Sequence, residues 1–114
     1  MQDCLFCKIA QGEIPADKVY EDEQVVAFLD INPQAPVHLL VIPRRHIGCL
    51  ADAAAQDIAL LGHIQWVIAE LAHAHGFATA GFRVVNNCNE DGGQEVGHLH
   101  YHVLAGRRLQ WPPG

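Results

Sequence analysis

His98-Leu99-His100-Tyr101-His102-Val103-Leu104 alternates three imidazoles with apolar residues. On a β-strand that period of two puts the histidines on one face, successive ones about 6.6 Å apart, and turns Leu99, Tyr101 and Val103 into the opposite layer. A strand over 98–104 that buries one face against a helix is therefore the element around which the rest must arrange itself. Just upstream, Gly92-Gly93-Gln94-Glu95-Val96-Gly97 reads as a loop whose glycines let the backbone come close to a ligand and aim N–H groups at anionic oxygens. Before it, Phe82–Asn86 reads as a fourth strand, and Val19-Tyr20, Val25–Leu29 and Val37–Ile42 as the first three. Asp30-Ile31-Asn32-Pro33-Gln34-Ala35-Pro36 separates the second and third strands, and Pro43 ends the third. From Ala53 to His75, Ile58, Leu61, Ile64, Ile68 and Leu71 step by three and four along one face, so this stretch is the one long helix, with Gly76 placed to cap its end. Strand, strand, strand, helix, strand, strand leaves few long crossovers, which predicts an α+β fold with a five-stranded antiparallel sheet.

The 114 residues make a single domain, 1–114, with one core and one main site. Seven Lys plus Arg against thirteen Asp plus Glu, a net charge of −6, exclude a nucleic acid polymer as the main partner, because polymer binding needs a dense cationic surface. A mononucleotide fits, its phosphate met by local donors. No apolar run is long enough for a membrane span and nothing resembles a secretory signal, so a cytoplasmic location is expected and no membrane partner. In that reducing compartment the four cysteines are free thiols or metal ligands, and Cys4 and Cys7 have the only suggestive spacing.

The histidine strand admits three readings: a polar sheet face, imidazoles sharing one metal ion, or a nucleophilic site. A catalytic metal would call for a carboxylate behind its histidines, which the strand does not supply. The glycine-rich loop favours the third reading. A phosphoryl centre attacked by a neutral imidazole needs positioned donors, and imidazole titrates near neutrality, so one ring can attack while its neighbour donates.

The run His98 to Leu104 matches the signature of the histidine triad (HIT) superfamily, and the resemblance extends over Cys4–Ile9, Gly12–Pro15, Phe28–His38, Ile42–Ile47 and the ending Trp111-Pro112-Pro113-Gly114. The tail and the short length resemble the histidine triad nucleotide-binding branch. That resemblance implies a HIT-like fold with an additional short N-terminal helix and a homodimer joining two five-stranded sheets. It also implies a purine nucleoside phosphoramidase, cleaving adenosine 5′-monophosphoramidate or AMP-lysine through a nucleotidyl-histidine on His100. The catalytic set would be His100, His102, His98 and His38, with His102 and His38 as donors. Asp30 would hold the ribose, Phe6, Ile14, Phe28 and Ile31 the base, Asn86 the phosphate side, and backbone N–H groups of Gly93, Glu95 and Val96 the phosphate itself. Trp111 would reach the partner subunit's site; the other reading is that it folds back on its own subunit.

The resemblance implies no cofactor for catalysis. Other members of the superfamily hold structural zinc with a cysteine pair and two histidines, here Cys4, Cys7, His46 and His98; two buried thiols are the alternative. Glu95 and Gly97 depart from the branch, which often has Ser and Tyr there. A dinucleoside polyphosphate hydrolase and a non-catalytic nucleotide-binding module are the rival functions.

Overall fold

The computed structural model describes residues 3–114. In chain order it contains α1 (Leu5–Ala10), β1 (Lys18–Glu21), β2 (Val25–Leu29), β3 (Val37–Pro43), two single 3₁₀ turns (Leu50–Asp52 and Ala55–Asp57), α2 (Ile58–Ala74), β4 (Phe82–Val85), α3 (Asn89–Gly92) and β5 (Tyr101–Ala105). The five strands form one sheet in the order β1-β2-β3-β5-β4, and every neighbouring pair is antiparallel. This is the α+β architecture expected from the order of elements.

The sheet is covered on both faces. Because side chains alternate, Val25 and Ala27 of β2 face α2 while Val26 and Phe28 face α1. Leu99, Tyr101 and Val103 fall in the α2 core, as the histidine alternation requires, together with Ile64, Val67, Ile68 and Leu71 from the helix. The smaller core beneath α1 contains Phe6, Ile9, Val26, Phe28, Leu40 and Ile42. The turn into β2 is closed by Asp22, whose carboxylate accepts the N–H groups of Gln24 and Val25 and the hydroxyl of Tyr20. Burial pushes the Asp22 carboxyl up, but these hydrogen bonds and one with His63 outweigh it and hold the group far below the usual carboxylate range.

Several boundaries differ from the sequence reading, three of them for a visible physical reason. α2 starts at Ile58 rather than Ala53, because the buried Asp57 carboxylate turns back to accept the Ala54 N–H at 2.8 Å and pairs with Arg45, closing a tight turn ahead of the helix. Its buried face, Leu60, Ile64, Val67, Ile68, Leu71 and Ala72, is rotated from the one expected: Ile58 is 69% exposed. Gly76 ends the helix with φ +79°, as expected of a left-handed cap. β5 begins at Tyr101 rather than His98. Its partner β3 ends at Pro43, which has no N–H to extend the ladder, so Leu99 bonds instead to the carbonyl of Ile47 at 2.7 Å. β4 stops at Val85, one residue early, and the Asn86 side chain takes over by donating to the His100 carbonyl at 2.9 Å. No helix among the described residues is long and apolar enough to cross a membrane.

Candidate active site

Because the ladder stops at Tyr101, the three triad histidines do not share one environment. His98 is fully buried and turns toward α1, whereas His100 and His102 line a cavity of about 530 Å³ between α1, β2 and the glycine-rich loop. That is within the usual size range of a small-molecule site.

Hydrogen bonds to groups of fixed character determine which nitrogen of each ring carries the proton. His100 Nδ1 lies 2.7 Å from the His98 carbonyl, which only accepts, so Nδ1 holds a hydrogen and, in the neutral ring, Nε2 keeps its lone pair. A neutral imidazole with that lone pair free is the form required of a nucleophile. The Gln34 N–H donates to His38 Nδ1 at 3.0 Å, which places the His38 proton on Nε2. That proton is donated to His102 Nδ1 at 2.9 Å, so the proton of His102 stands on Nε2. The rings of His100 and His102 lie 5.1 Å apart, one presenting a lone pair and the other a donor. Burial pushes the pKa values of both His38 and His102 down, outweighing the opposite pull of Asp30 on each, which favours the neutral form of both rings.

Asp30 lies beside this pair, with Oδ2 3.4 Å from His38 Nε2 and Oδ1 accepting the Asn32 N–H at 2.8 Å. Phe6, Ile14 and Phe28 form the apolar wall and also belong to the α1 core, so the core and pocket readings of these residues both hold. Phe6 meets Phe28 edge-on at 5.5 Å and His100 at 5.2 Å. Ile31 stands at the rim, fully exposed. Gly93, Glu95 and Val96 line the opposite rim. Asn86 does not line the cavity; its amide is committed to the His100 carbonyl, and Asn87 occupies the wall. Trp111 is 80% exposed and outside the lining. Sequence reasoning missed Leu5, Ile9, Asn87 and the Gln34 N–H; the last could not be read, since a backbone donor leaves no signature in residue type.

On the far side of His98, Cys4 Sγ, Cys7 Sγ, His46 Nδ1 and His98 Nδ1 all lie within 4.8 Å of one another. His98 Nε2 is 2.8 Å from the Pro43 carbonyl and so carries that ring's proton. Its Nδ1 lone pair faces Cys4 Sγ at 3.2 Å, Cys7 Sγ at 3.4 Å and His46 Nδ1 at 3.2 Å. Ligand atoms around a tetrahedral zinc ion with Zn–N near 2.0 Å and Zn–S near 2.3 Å are separated by about 3.3–3.8 Å, so the donor set fits in both chemistry and spacing. A histidine ligand whose other nitrogen donates to a carbonyl is the usual supporting arrangement. Burial, with Cys4 adding to it, pushes the Cys7 thiol up to about 11.

Residues 11–109 match the family model described as HIT domain, a span that leaves out Cys4, Cys7 and Trp111. An uncharacterized HIT-like protein of Synechococcus elongatus is 51% identical over 113 residues, 99% of this chain and 98% of that protein. A HIT family hydrolase from Legionella pneumophila is similar with a TM-score of 0.97 and 54% identity, covering 98% of this chain and 100% of that one. A histidine triad protein from Clostridium difficile is similar with a TM-score of 0.95 and 55% identity, covering 96% of each chain.

Proposed function

The chain belongs to the HIT domain family, and on that premise we propose that it is a hydrolase of purine nucleoside 5′-phosphoramidates acting through a covalent intermediate on His100. The observation that carries this reading is the hydrogen bond from His100 Nδ1 to the His98 carbonyl, which leaves Nε2 as a lone pair facing the cavity. In the first step His100 Nε2 bonds to the α-phosphorus, the P–N bond breaks, and the nitrogen departs as an amine after taking one proton. His102 Nε2–H donates to the phosphoryl oxygen, and the proton the nitrogen takes comes from solvent, relayed by the His38–His102 pair, which takes up one proton for the one it gives. In the second step water attacks the nucleotidyl-histidine and frees the nucleoside monophosphate and His100. The base packs on Phe6, Ile14 and Phe28, with Ile31 at the rim, and Asp30 accepts the ribose hydroxyls.

In the same reading zinc joins Cys4, Cys7, His46 and His98 and serves structure alone, tying α1 to the end of β3 and to the histidine segment. The same reading makes the protein a homodimer, in which Trp111 would reach the partner's site; Phe82, Val84 and Trp111 are exposed in the single chain, and β4 is an edge strand of its sheet.

The reading is tested by offering one preparation both an adenosine 5′-phosphoramidate and a diadenosine polyphosphate. We expect kcat/KM for the former to exceed that for the latter by about 100-fold or more, and a preference for the polyphosphate would point to the rival hydrolase. Asp30→Asn should weaken binding of adenosine monophosphate by about tenfold or more and of the 2′-deoxy form by less, since only the former offers both hydroxyls to the carboxylate. Equal losses in calorimetric titrations would make Asp30 a structural residue.

A further inference from the structure

The cavity has an unusual charge balance for a site that receives phosphate. Its wall contains two carboxylates, Asp30 and Glu95, and neither Lys nor Arg among the described residues. Asp30 is engaged by the Asn32 N–H and lies beside His38. Glu95 makes no hydrogen bond or ion pair among the described residues, and it is exposed at the rim. Its position is nevertheless held. The side-chain amide of the preceding residue, Gln94, accepts from the Asn89 N–H at 2.9 Å and donates to the carbonyls of Gly48 at 2.8 Å and Val96 at 2.9 Å. Val96, on the other side, packs against the α1 core. The loop therefore presents the Glu95 carboxylate to the cavity mouth from a pinned backbone. Burial pushes the His102 pKa down, and Glu95, like Asp30, is near enough to pull weakly the other way.

With the base on the apolar wall, the ribose at Asp30 and the phosphoryl group between His100 and His102, the rim formed by Asn87, Gly93 and Glu95 remains for the leaving group. A free anion there repels a leaving group that is itself a phosphate chain and attracts one that carries a cation. Resting on the phosphoramidase reading, we propose that Glu95 is the residue that selects the leaving group, favouring amines that bear a second positive charge, an ammonium or guanidinium beyond the scissile nitrogen. The one phosphoryl charge of such a substrate is met by His102 and the loop N–H groups, while the remote cation is met by Glu95. A polyphosphate brings several more negative charges to a wall with no Lys or Arg to meet them.

The experiment uses adenosine 5′-phosphoramidates of three amines of matched chain length, ending in an ammonium, a methyl group or a carboxylate. At low salt the wild type should favour the ammonium compound over the carboxylate compound by about tenfold or more in kcat/KM, the scale of one charge–charge contact at a hydrated rim. The ratio should shrink as salt is added. Glu95→Gln should bring it near one, Glu95→Lys should invert it, and Glu95→Asp should keep its direction. The same ratio in wild type and Glu95→Gln would overturn the proposal. The three compounds are also titrated calorimetrically into His100→Gly, with and without Glu95→Gln, so that the charge preference is read without turnover. If the wild type cleaves none of the compounds, the phosphoramidase reading fails, and the titrations still decide for or against Glu95.

Discussion

Replacing His100 by Gly should lower kcat/KM for an adenosine 5′-phosphoramidate by about three orders of magnitude or more, while adenosine monophosphate still binds and the chain still folds. The expectation follows from what His100 touches. Its Nδ1–H is tied to the His98 carbonyl, its Nε2 lone pair is left to the cavity, and its ring packs edge-on against Phe6. The substitution removes the lone pair that attacks phosphorus and leaves the apolar wall, Asp30 and His102 in place. His100→Ala serves as the companion variant, since a β-carbon at 100 limits the added backbone freedom. Steady-state rates with calorimetric binding and a thermal melt check all parts of the expectation. A rate within tenfold of wild type in both folded variants would remove His100 from the nucleophilic role.

The second large effect concerns the cluster behind the triad. Purified protein should carry about one zinc per chain, and stripping it with a chelator should lower Tm by roughly 10 °C or more, because the ion's binding energy is coupled to folding. The structural reason is the separation in sequence of the four ligands. Cys4 and Cys7 stand at α1, His46 follows β3, and His98 precedes β5, so one ion closes two long loops at once. Cys7→Ser should reproduce the loss without a chelator, and readdition of zinc should restore only the wild type. Protein that melts at the same temperature with and without chelator, and holds no metal, would leave two buried thiols as the account of these residues.

Several of these features could be read from residue order. The alternation of histidine with apolar residues over 98–104 placed Leu99, Tyr101 and Val103 in the α2 core, and the three-and-four spacing located the helix, because both patterns are the direct record of burial on one face. The start of α2 was not readable. Ala53 to Ala55 have no local reason to avoid a helix, and it is the Asp57 carboxylate, folded back onto Ala54 and paired with Arg45, that holds the preceding turn. The division of the triad was equally hidden. Strand periodicity treats His98, His100 and His102 alike, whereas Pro43 ends the ladder and frees His98 to turn toward Cys4 and Cys7. The resemblance named Asn86 for the phosphate side. The fold gives that amide to the His100 carbonyl and puts its neighbour Asn87 on the cavity wall, a one-residue distinction set by where β4 stops.

The tautomers are the part of the site that sequence holds least. His38 and His102 are 64 residues apart, and what sets their protons is a backbone N–H at Gln34, in a loop whose Pro33 and Pro36 fix its course. Read together with the His98 carbonyl at His100, that single donor arranges one lone pair and one N–H toward the same cavity, the pairing that nucleophilic attack on phosphorus requires.

The most direct test of this account is mass spectrometry of protein quenched in acid within the first turnovers of an adenosine 5′-phosphoramidate, followed by peptide mapping. We expect a transient adduct of one adenylyl group on the peptide containing His98 to His102, assigned by fragmentation to His100, which decays as adenosine monophosphate appears. Steady turnover with no adduct on any histidine, or an adduct that maps to His102 and persists in His100→Gly, would contradict it.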